Sequence, residues 1–170
     1  MNIEIDPLTF QDWEQVRVIF IEGIASGHAT FETEAPDWEE WDRSHIKSCR
    51  FTAKEGNQIL GWAALSPVSG RCIYSGVAEI SVYVGKDHHG KGIGTKLLAK
   101  LIESSEKAGI WTLQAGIFPE NTASIMIHKK LGFREVGCRE KLGKMTYGEM
   151  KGKWRDVVIL ERRSNKTGID

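Results

Sequence analysis

The chain has 170 residues, of which 41% are hydrophobic and 27% charged, and its 23 basic and 23 acidic side chains cancel. This length and composition are typical of one globular domain, and the charge balance argues against a nucleic-acid-binding protein. Cys49, Cys72 and Cys138 form no CxxC pair, which argues against a disulfide framework or a zinc ribbon. The first residues are not basic, and the longest uncharged run, residues 57–70, is interrupted by Gly and Pro. We therefore expect no signal peptide, no membrane span and a reduced, cytoplasmic protein.

Hydrophobic periodicity and turn residues predict elements in the order β, α, α, β, β, β, α, β, α, β, β. The predicted strands cover residues 3–5, 51–54, 59–65, 77–84, 111–118, 133–139 and 154–161. The predicted helices cover residues 9 or 12 to 26, 36–46, 94–108 and 121–131. The alternation of strand and helix in the second half indicates a mixed sheet within one domain, and the polar tail from residue 162 is expected to fray.

A glycine-rich stretch, HGKGIG at residues 89–94, follows the strand predicted at 77–84 and precedes a helix. In this arrangement backbone N–H groups and the helix N-terminus attract a phosphate group. Glycines let consecutive N–H groups converge without clashes from Cβ atoms, and Lys91 can add positive charge. The stretch therefore predicts a phosphate-binding loop.

Other interpretations of this loop compete. Residues 85–91 match the first seven positions of the GxxxxGK loop of nucleotide triphosphatases, but Gly92 occupies the place of the hydroxyl that binds Mg²⁺. The GxGxxG dinucleotide motif fits less well, because Gly90, Gly92 and Gly94 are spaced by two. The glycines could also merely turn a strand into a helix.

The spacing that fits is [Q/R]-x-x-G-x-[G/A], and residues 89–94 resemble this motif of the GNAT superfamily of N-acetyltransferases, with His89 in place of Gln or Arg. Members transfer an acetyl group from acetyl-CoA to an amine and need no metal. The resemblance implies an α/β (α+β) fold, with a mixed, mostly antiparallel twisted sheet of about seven strands and about four flanking helices. It implies a single domain over residues 1–163 and a polar tail over 164–170.

The resemblance also implies which residues hold acetyl-CoA, the expected cosubstrate. The pantetheine arm would lie along Val82, Tyr83 and Val84. The diphosphate would be bound by His89, Gly90, Lys91, Gly92, Ile93, Gly94 and Thr95.

A second motif, at residues 121–133, is similar to the family's N-x-x-[AS]-x-x-x-[YH]-x-K-x-G-[FY] helix. It implies that Asn121 hydrogen-bonds pantetheine and that Ser124 and Lys130 lie near the cofactor. Asn121 is equally suited to cap the helix. His128 occupies the position at which many members use Tyr to protonate the departing thiolate, and a packed core histidine is the alternative interpretation.

Glu79 is a carboxylate within the apolar strand AEISVYV, residues 78–84. Beside the acetyl group it could remove a proton from an ammonium nucleophile as general base. An exposed or salt-bridged strand carboxylate is the alternative.

Four features resemble one subgroup, the phosphinothricin and methionine sulfoximine acetyltransferases. They are Glu79 with the VYV that follows, the TFET at 30–33 with Pro36, Trp38 and Trp41 after it, the pair Arg71 and Tyr74, and GKWRD at 152–156. The subgroup implies acetylation of the α-amino group of a small amino-acid analogue by direct attack, in a homodimer without nucleic-acid or membrane partners. Arg71 would bind the α-carboxylate, although it could also be a solvated loop charge. Phe31, Tyr74 and Tyr83 could form the wall of the pocket for the acceptor's side chain.

Two other functions stay open at this stage. A non-catalytic acetyl-CoA sensor on the same fold would keep the loop and Asn121 but could lose Glu79. A family member acting on a peptide N-terminus or on a polyamine would need a different acceptor site.

Overall fold

A computed structural model describes residues 2–170. Its strands are β1 Glu4–Pro7, β2 Arg50–Glu55, β3 Gln58–Pro67, β4 Val77–Val84, β5 Thr112–Ile117, β6 Arg134–Lys144 and β7 Trp154–Arg163. Its α-helices are α1 Trp13–Ser26, α2 Trp38–Ser44, α3 Ile93–Lys107 and α4 Thr122–Lys130. The predicted order of seven strands and four helices is confirmed. None of the helices within residues 2–170 is both long and apolar enough to cross a membrane.

All seven strands form one sheet in the order β1-β2-β3-β4-β5-β7-β6. Every neighbouring pair is antiparallel except β4 and β5, which are parallel because α3 crosses over between them. The predicted mixed, mostly antiparallel sheet is confirmed. This single parallel pair lies near the middle of the sheet, and the functional site forms there.

Helices cover both faces of the sheet, so its central strands are buried on two sides. On one face Leu97, Leu98 and Leu101 of α3 pack on the strands. On the other face an aromatic cluster from α1, α2 and β3 includes Trp41 and Trp62, both 1% exposed. These two layers hold β4 in a fixed position.

Three of the boundaries that differ from the prediction have a clear structural cause. Helix α2 ends at Ser44, because the backbone extends at His45 and the N–H of Ile46 donates to the carbonyl of Leu65. Strand β6 is longer than predicted, because it pairs with β7 over most of its length. The expected fraying does not begin at residue 162, since β7 continues to Arg163 and the Ser164 hydroxyl donates to Glu106 at 3.0 Å.

Candidate active site

A cleft opens where β4 and β5 stop pairing. Their parallel register holds for three residue pairs, of which Glu79 with Gln114 is the last. Beyond this pair β4 continues to Val84 while pairing only with β3, so its β5-facing edge has no strand partner within residues 2–170. The cleft between the diverging strands has a volume of about 330 Å³. Its unpaired backbone groups are a preformed edge for an extended, hydrogen-bonding ligand.

Glu79 lies at the point where the strands diverge and lines the cleft. The Gln114 side-chain amide donates to Glu79 Oε2 at 3.1 Å. This hydrogen bond occupies one carboxylate oxygen and orients the group. The Glu79 side chain is otherwise exposed, so its second oxygen can accept a proton from a molecule in the cleft.

The opposite wall of the cleft is built by residues 28–31 and by the end of β5. The Phe31 ring packs edge-to-face on Phe118 at a centroid distance of 4.9 Å. Arg155, 2% exposed, donates to the carbonyl of Gly27 at 2.7 Å and to Nδ1 of His28 at 3.0 Å. The buried guanidinium therefore ties this wall to β7.

The glycine-rich loop follows β4 at the far end of the cleft from Glu79. Gly90 and Gly92 both have φ near 75°, a backbone conformation that favours glycine, and Gly92 caps α3. A Cβ atom at either glycine would meet no protein atom within 4 Å, so the outer face of the loop is open. The first turn of α3 carries no acidic residue, and its N–H groups have no intrahelical partner. The loop can receive an anionic group through its backbone.

Two side chains hold the loop in shape. The His89 ring donates through Nε2 to the carbonyl of Val84 at 2.9 Å, and the Lys91 ammonium donates to the carbonyl of Asp87 at 3.0 Å. Because a carbonyl can only accept, Nε2 of His89 must carry a hydrogen. His89 therefore fastens the loop to the end of β4.

Helix α4 begins beside the cleft, and Asn121 caps it. The Asn121 side chain accepts from the N–H of Ser124 at 3.3 Å and donates to the carbonyl of His28 at 3.4 Å. Asn121, Ser124 and His128 all line the cleft. The capping interpretation of Asn121 is therefore confirmed, and its position allows a ligand contact as well.

His128 is 3% exposed, and its Nδ1 donates to the carbonyl of Ser124 at 2.7 Å. The neutral ring therefore carries its hydrogen on Nδ1, which leaves Nε2 as an acceptor, and Nε2 has no partner among residues 2–170. Burial lowers the pKa of His128 below its usual 6.5. This geometry disfavours a proton donor at Nε2, the role that the resemblance implied.

Many of the predicted site residues lie together, and some do not. Glu79, Val82, Tyr83, Phe31, Asn121, Ser124 and His128 line the cleft. Val84, the glycine loop and Thr95 continue from its far end, whereas Lys130 is exposed at the end of α4. Among the described residues that line the cleft, neither Arg71 nor Tyr74 is present; they lie before the start of β4, with the Arg71 guanidinium 5.7 Å from the Tyr74 ring.

Three residues at the cleft were missed by sequence reasoning. Gln114 and Arg139 line it, and Arg155 supports its wall. The position of Gln114 depends on the parallel register, and that of Arg139 on the register of β6 with β7, and neither leaves a mark in the sequence. Arg155 lies within the GKWRD segment, which was the available signal. No group of three or more His, Cys, Asp or Glu side chains able to hold a metal ion occurs in the part of the chain that the structure describes.

Comparison with known proteins agrees with this geometry. The model of the acetyltransferase (GNAT) family matches residues 11–133. The chain belongs to the GNAT acetyltransferase family. The phosphinothricin N-acetyltransferase of Streptomyces coelicolor is 29% identical to it over 169 residues, which cover 95% of this chain and 96% of that protein. The L-methionine sulfoximine/L-methionine sulfone acetyltransferase of Salmonella typhimurium is 31% identical over 148 residues, or 79% of this chain and 82% of that protein.

A solved structure gives the same result for the fold. The structure of a phosphinothricin acetyltransferase from Sinorhizobium meliloti, in complex with acetyl-CoA, superimposes on this chain with a TM-score of 0.86 and 25% identity. The alignment covers 100% of this chain and 92% of the Sinorhizobium chain. The predicted GNAT fold and the resemblance to this subgroup of acetyltransferases are both confirmed.

The buried histidines make stability depend on pH. Burial lowers the pKa values of His128 and His45, so each takes up a proton more readily in the unfolded chain. Their contribution to the free energy of unfolding is complete above about pH 6.5 and is lost as the pH falls below that value. We expect the urea midpoint to decrease between pH 7 and pH 5.

A variant identifies the source of this decrease. His128→Asn keeps an N–H donor for the Ser124 carbonyl but removes the titrating ring, so the decrease between pH 7 and pH 5 should become smaller. The His45 ring contacts the carbonyl of Trp41 in the same way. His45→Asn should therefore remove the part of the decrease that His45 causes. An unchanged decrease in both variants would show that other groups cause it.

Proposed function

We propose that the chain transfers the acetyl group of acetyl-CoA to the α-amino group of a small amino-acid analogue of the phosphinothricin, methionine sulfoximine or methionine sulfone type. The observation that carries this proposal is the position of Glu79 where β4 and β5 diverge, at one end of a cleft whose other end leads to the glycine loop. The names of the two relatives support the class of acceptor.

The described residues fit acetyl-CoA. The open loop of Gly90 and Gly92 and the start of α3 would hold the diphosphate, and the unpaired edge of β4 from Val82 to Val84 would hold the pantetheine arm. When bound, acetyl-CoA supplies the thioester whose carbonyl carbon is the site of attack. Asn121 and Ser124, which line the opposite side of the cleft, would contact the same arm.

Glu79 is the general base in this proposal. A carboxylate oxygen of Glu79 accepts the proton of the acceptor's ammonium, directly or through a water molecule, and frees the amine for attack. A backbone N–H on the cleft side of the Val82–Val84 edge donates to the carbonyl oxygen as negative charge develops there. No residue of the chain is acylated, and no metal is required.

The proton that returns to the thiolate comes from water rather than from His128. The neutral ring keeps its hydrogen on Nδ1, bonded to the carbonyl of Ser124, and burial disfavours the imidazolium. His128 instead packs on Phe133 and supports α4 beside the cleft. Phe31 forms part of the acceptor wall, and the predicted roles of Arg71, Tyr74 and Lys130 stay predictions.

The direct test is an assay of thiol release from acetyl-CoA with a panel of acceptors. Phosphinothricin, methionine sulfoximine and methionine sulfone should be acetylated with higher kcat/KM than a polyamine or a peptide with a free N-terminus. Faster turnover of the peptide or the polyamine would assign a different acceptor class. Binding of acetyl-CoA without release with any acceptor would favour the sensor.

The Glu79→Gln substitution tests the general base. It keeps the shape and a hydrogen-bonding oxygen but removes the basicity, so kcat should fall by about 10²- to 10⁴-fold near neutral pH. The Kd of acetyl-CoA, measured by calorimetry, should stay within about twofold. Glu55→Gln, at an exposed carboxylate that ends β2, is the matched control and should keep full activity. Wild-type turnover in Glu79→Gln would refute the assignment.

The Gly92→Ala substitution tests the loop. Gly92 and Gly109 lie at opposite ends of α3 with φ of 76° and 77°, and a Cβ atom meets no protein atom within 4 Å at either. Alanine at each position should cost about 1–2 kcal/mol of stability through backbone strain. Only Gly92→Ala should also weaken acetyl-CoA binding, by roughly tenfold, because the loop must shift and lose a hydrogen bond. Equal affinities in calorimetry would count against diphosphate binding at this loop.

We also propose that the chain forms a homodimer, as the subgroup resemblance implies, and that it resides in the cytoplasm, as its scattered cysteines indicate. Within residues 2–170 strand β6 pairs with β7 alone, lies at the edge of the sheet and is exposed along nearly its whole length. The exposed apolar side chains of Val136 and Trp154 lie on this hairpin. Sedimentation at micromolar concentration should give the mass of two chains. The Val136→Glu substitution should shift the measured mass toward that of a single chain. A monomer at all concentrations would exclude the dimer.

A further inference from the structure

We propose that Arg139 recognises the anionic group of the acceptor and so selects amino acids over simple amines. The inference rests on the proposed function, because it assumes that the acceptor enters the cleft at Glu79. In this proposal the residue that determines acceptor specificity lies on β6, whereas Arg71 lies in the segment before β4.

The charges that line the cleft lead to this assignment. Arg139 and Glu79 both line it, and Arg139 takes part in none of the ion pairs found within residues 2–170. Two histidines also line the cleft, but Nδ1 of His28 accepts from Arg155 and His128 is buried in its neutral form. Arg139 therefore supplies the permanent positive charge of the cleft lining.

Arg139 lies at the start of an irregularity in β6. Arg139 pairs with Val157 and Gly143 with Arg155, so three residues of β6 stand opposite the single residue Asp156. Lys141, inside this bulge, has φ of 48°, which non-glycine residues seldom adopt. Its N–H donates to Asp156 Oδ1 at 2.7 Å. The aspartate of the GKWRD segment thus holds the bulge.

The residue that follows the bulge contacts the acceptor wall. A Cβ atom on Gly143 would lie 2.8 Å from the Phe31 ring, so the strand backbone packs directly on that ring. Leu142, half exposed, lines the cleft beside Arg139. Arg139 and the bulge residue Leu142 therefore present one cation and one apolar side chain to a bound acceptor, which suits an amino acid with an apolar or neutral side chain.

The chemistry of the group explains the choice of ligand. A guanidinium offers paired N–H donors that match the two oxygens of a carboxylate or of a phosphinate. Glu79 would receive the ammonium of the same molecule. Amines that carry an ammonium but no anionic group would gain no binding from Arg139. The shared feature of the ligand is an oxyanion, and methionine sulfone, whose sulfone is neutral, tests the carboxylate alone.

The experiment compares acceptors and variants by thiol release. With methionine sulfone, Arg139→Gln should raise KM by about 10- to 100-fold, with kcat and the KM of acetyl-CoA within about threefold. The KM of Arg139→Lys for methionine sulfone should lie between those of the wild type and Arg139→Gln, because lysine keeps the charge without the paired donors. The second acceptor is the amine obtained by removing the carboxylate from methionine sulfone. Its KM should already be high in the wild type and should be unchanged in Arg139→Gln. Comparison with phosphinothricin shows whether the phosphinate adds to the effect.

Arg134→Gln is the matched control, since Arg134 lies on β6 in an ion pair with Glu161 and does not line the cleft. It should leave every KM unchanged. Asp156→Ala, which releases the bulge, should raise KM for methionine sulfone without changing KM for the amine. Lys141→Gly, which keeps the bulge conformation, should preserve both values.

The outcomes separate this inference from the function on which it rests. No thiol release by the wild type with any acceptor would overturn the proposed function. Release that Arg139→Gln leaves unchanged, or a KM effect found with Arg71→Gln instead, would overturn only the assignment of Arg139. An equal rise of KM for methionine sulfone and for the amine would show that Arg139 shapes the cleft without recognising the anion.

Discussion

The end of parallel pairing between β4 and β5 is the constraint on which the site depends. After Glu79 and Gln114 the strands separate, yet β4 stays fixed by β3 and by the helices on both faces of the sheet. A strand with one free edge must satisfy its backbone groups with water or a ligand, because an unpaired buried amide is costly. Since β4 leads straight into the glycine loop, the free edge and the start of α3 form one continuous surface. Glu79 lies at one end of this surface and the glycine loop at the other. This arrangement suits the transfer of a group from a large anionic donor to a small acceptor.

The segment GKWRD ties the acceptor wall and the β6 bulge to β7. A guanidinium buried to 2% exposure is costly unless its charge and most of its donors are satisfied. The terminal nitrogens of Arg155 donate to the carbonyl of Gly27, the His28 ring and the Glu120 carboxylate, and the guanidinium stacks on the Phe118 ring, whereas its Nε has no partner among residues 2–170. The next residue, Asp156, faces the other way and binds the bulge of β6. Two adjacent residues therefore support the acceptor region, Arg155 through residues 27–28 and Asp156 through the bulge of β6.

Features that depend on residues close together in the sequence could be predicted from it, whereas contacts between distant residues could not. The order of elements, the glycine loop and Glu79 were predictable, because periodicity, turn residues and an isolated carboxylate in an apolar strand are local features. The contact of Gln114 with Glu79 was not, since it needs the register of two strands 35 residues apart. Arg139 reaches the cleft where it pairs with Val157 of β7, beside a bulge that opposes Asp156 with three residues of β6, and this register is not visible in the sequence. Arg71 was predicted from the subgroup resemblance, and the structure does not bring it to the cleft lining, because a short turn before β4 keeps it outside.

His89 shows how the loop can work without the Gln or Arg typical of the motif. Its ring does not need to supply charge, because it donates to the carbonyl of Val84 and so ties the first residue of the motif to the end of the strand. Lys91 is likewise bound to a loop carbonyl, that of Asp87. Both side chains stabilise the loop, and the attraction for a diphosphate then comes chiefly from convergent backbone N–H groups and the start of α3. Such a site requires the backbone conformation at Gly90 and Gly92 above all, since that conformation aims the donors. Replacement of a charged side chain by histidine is therefore compatible with cofactor binding as long as the loop keeps its shape.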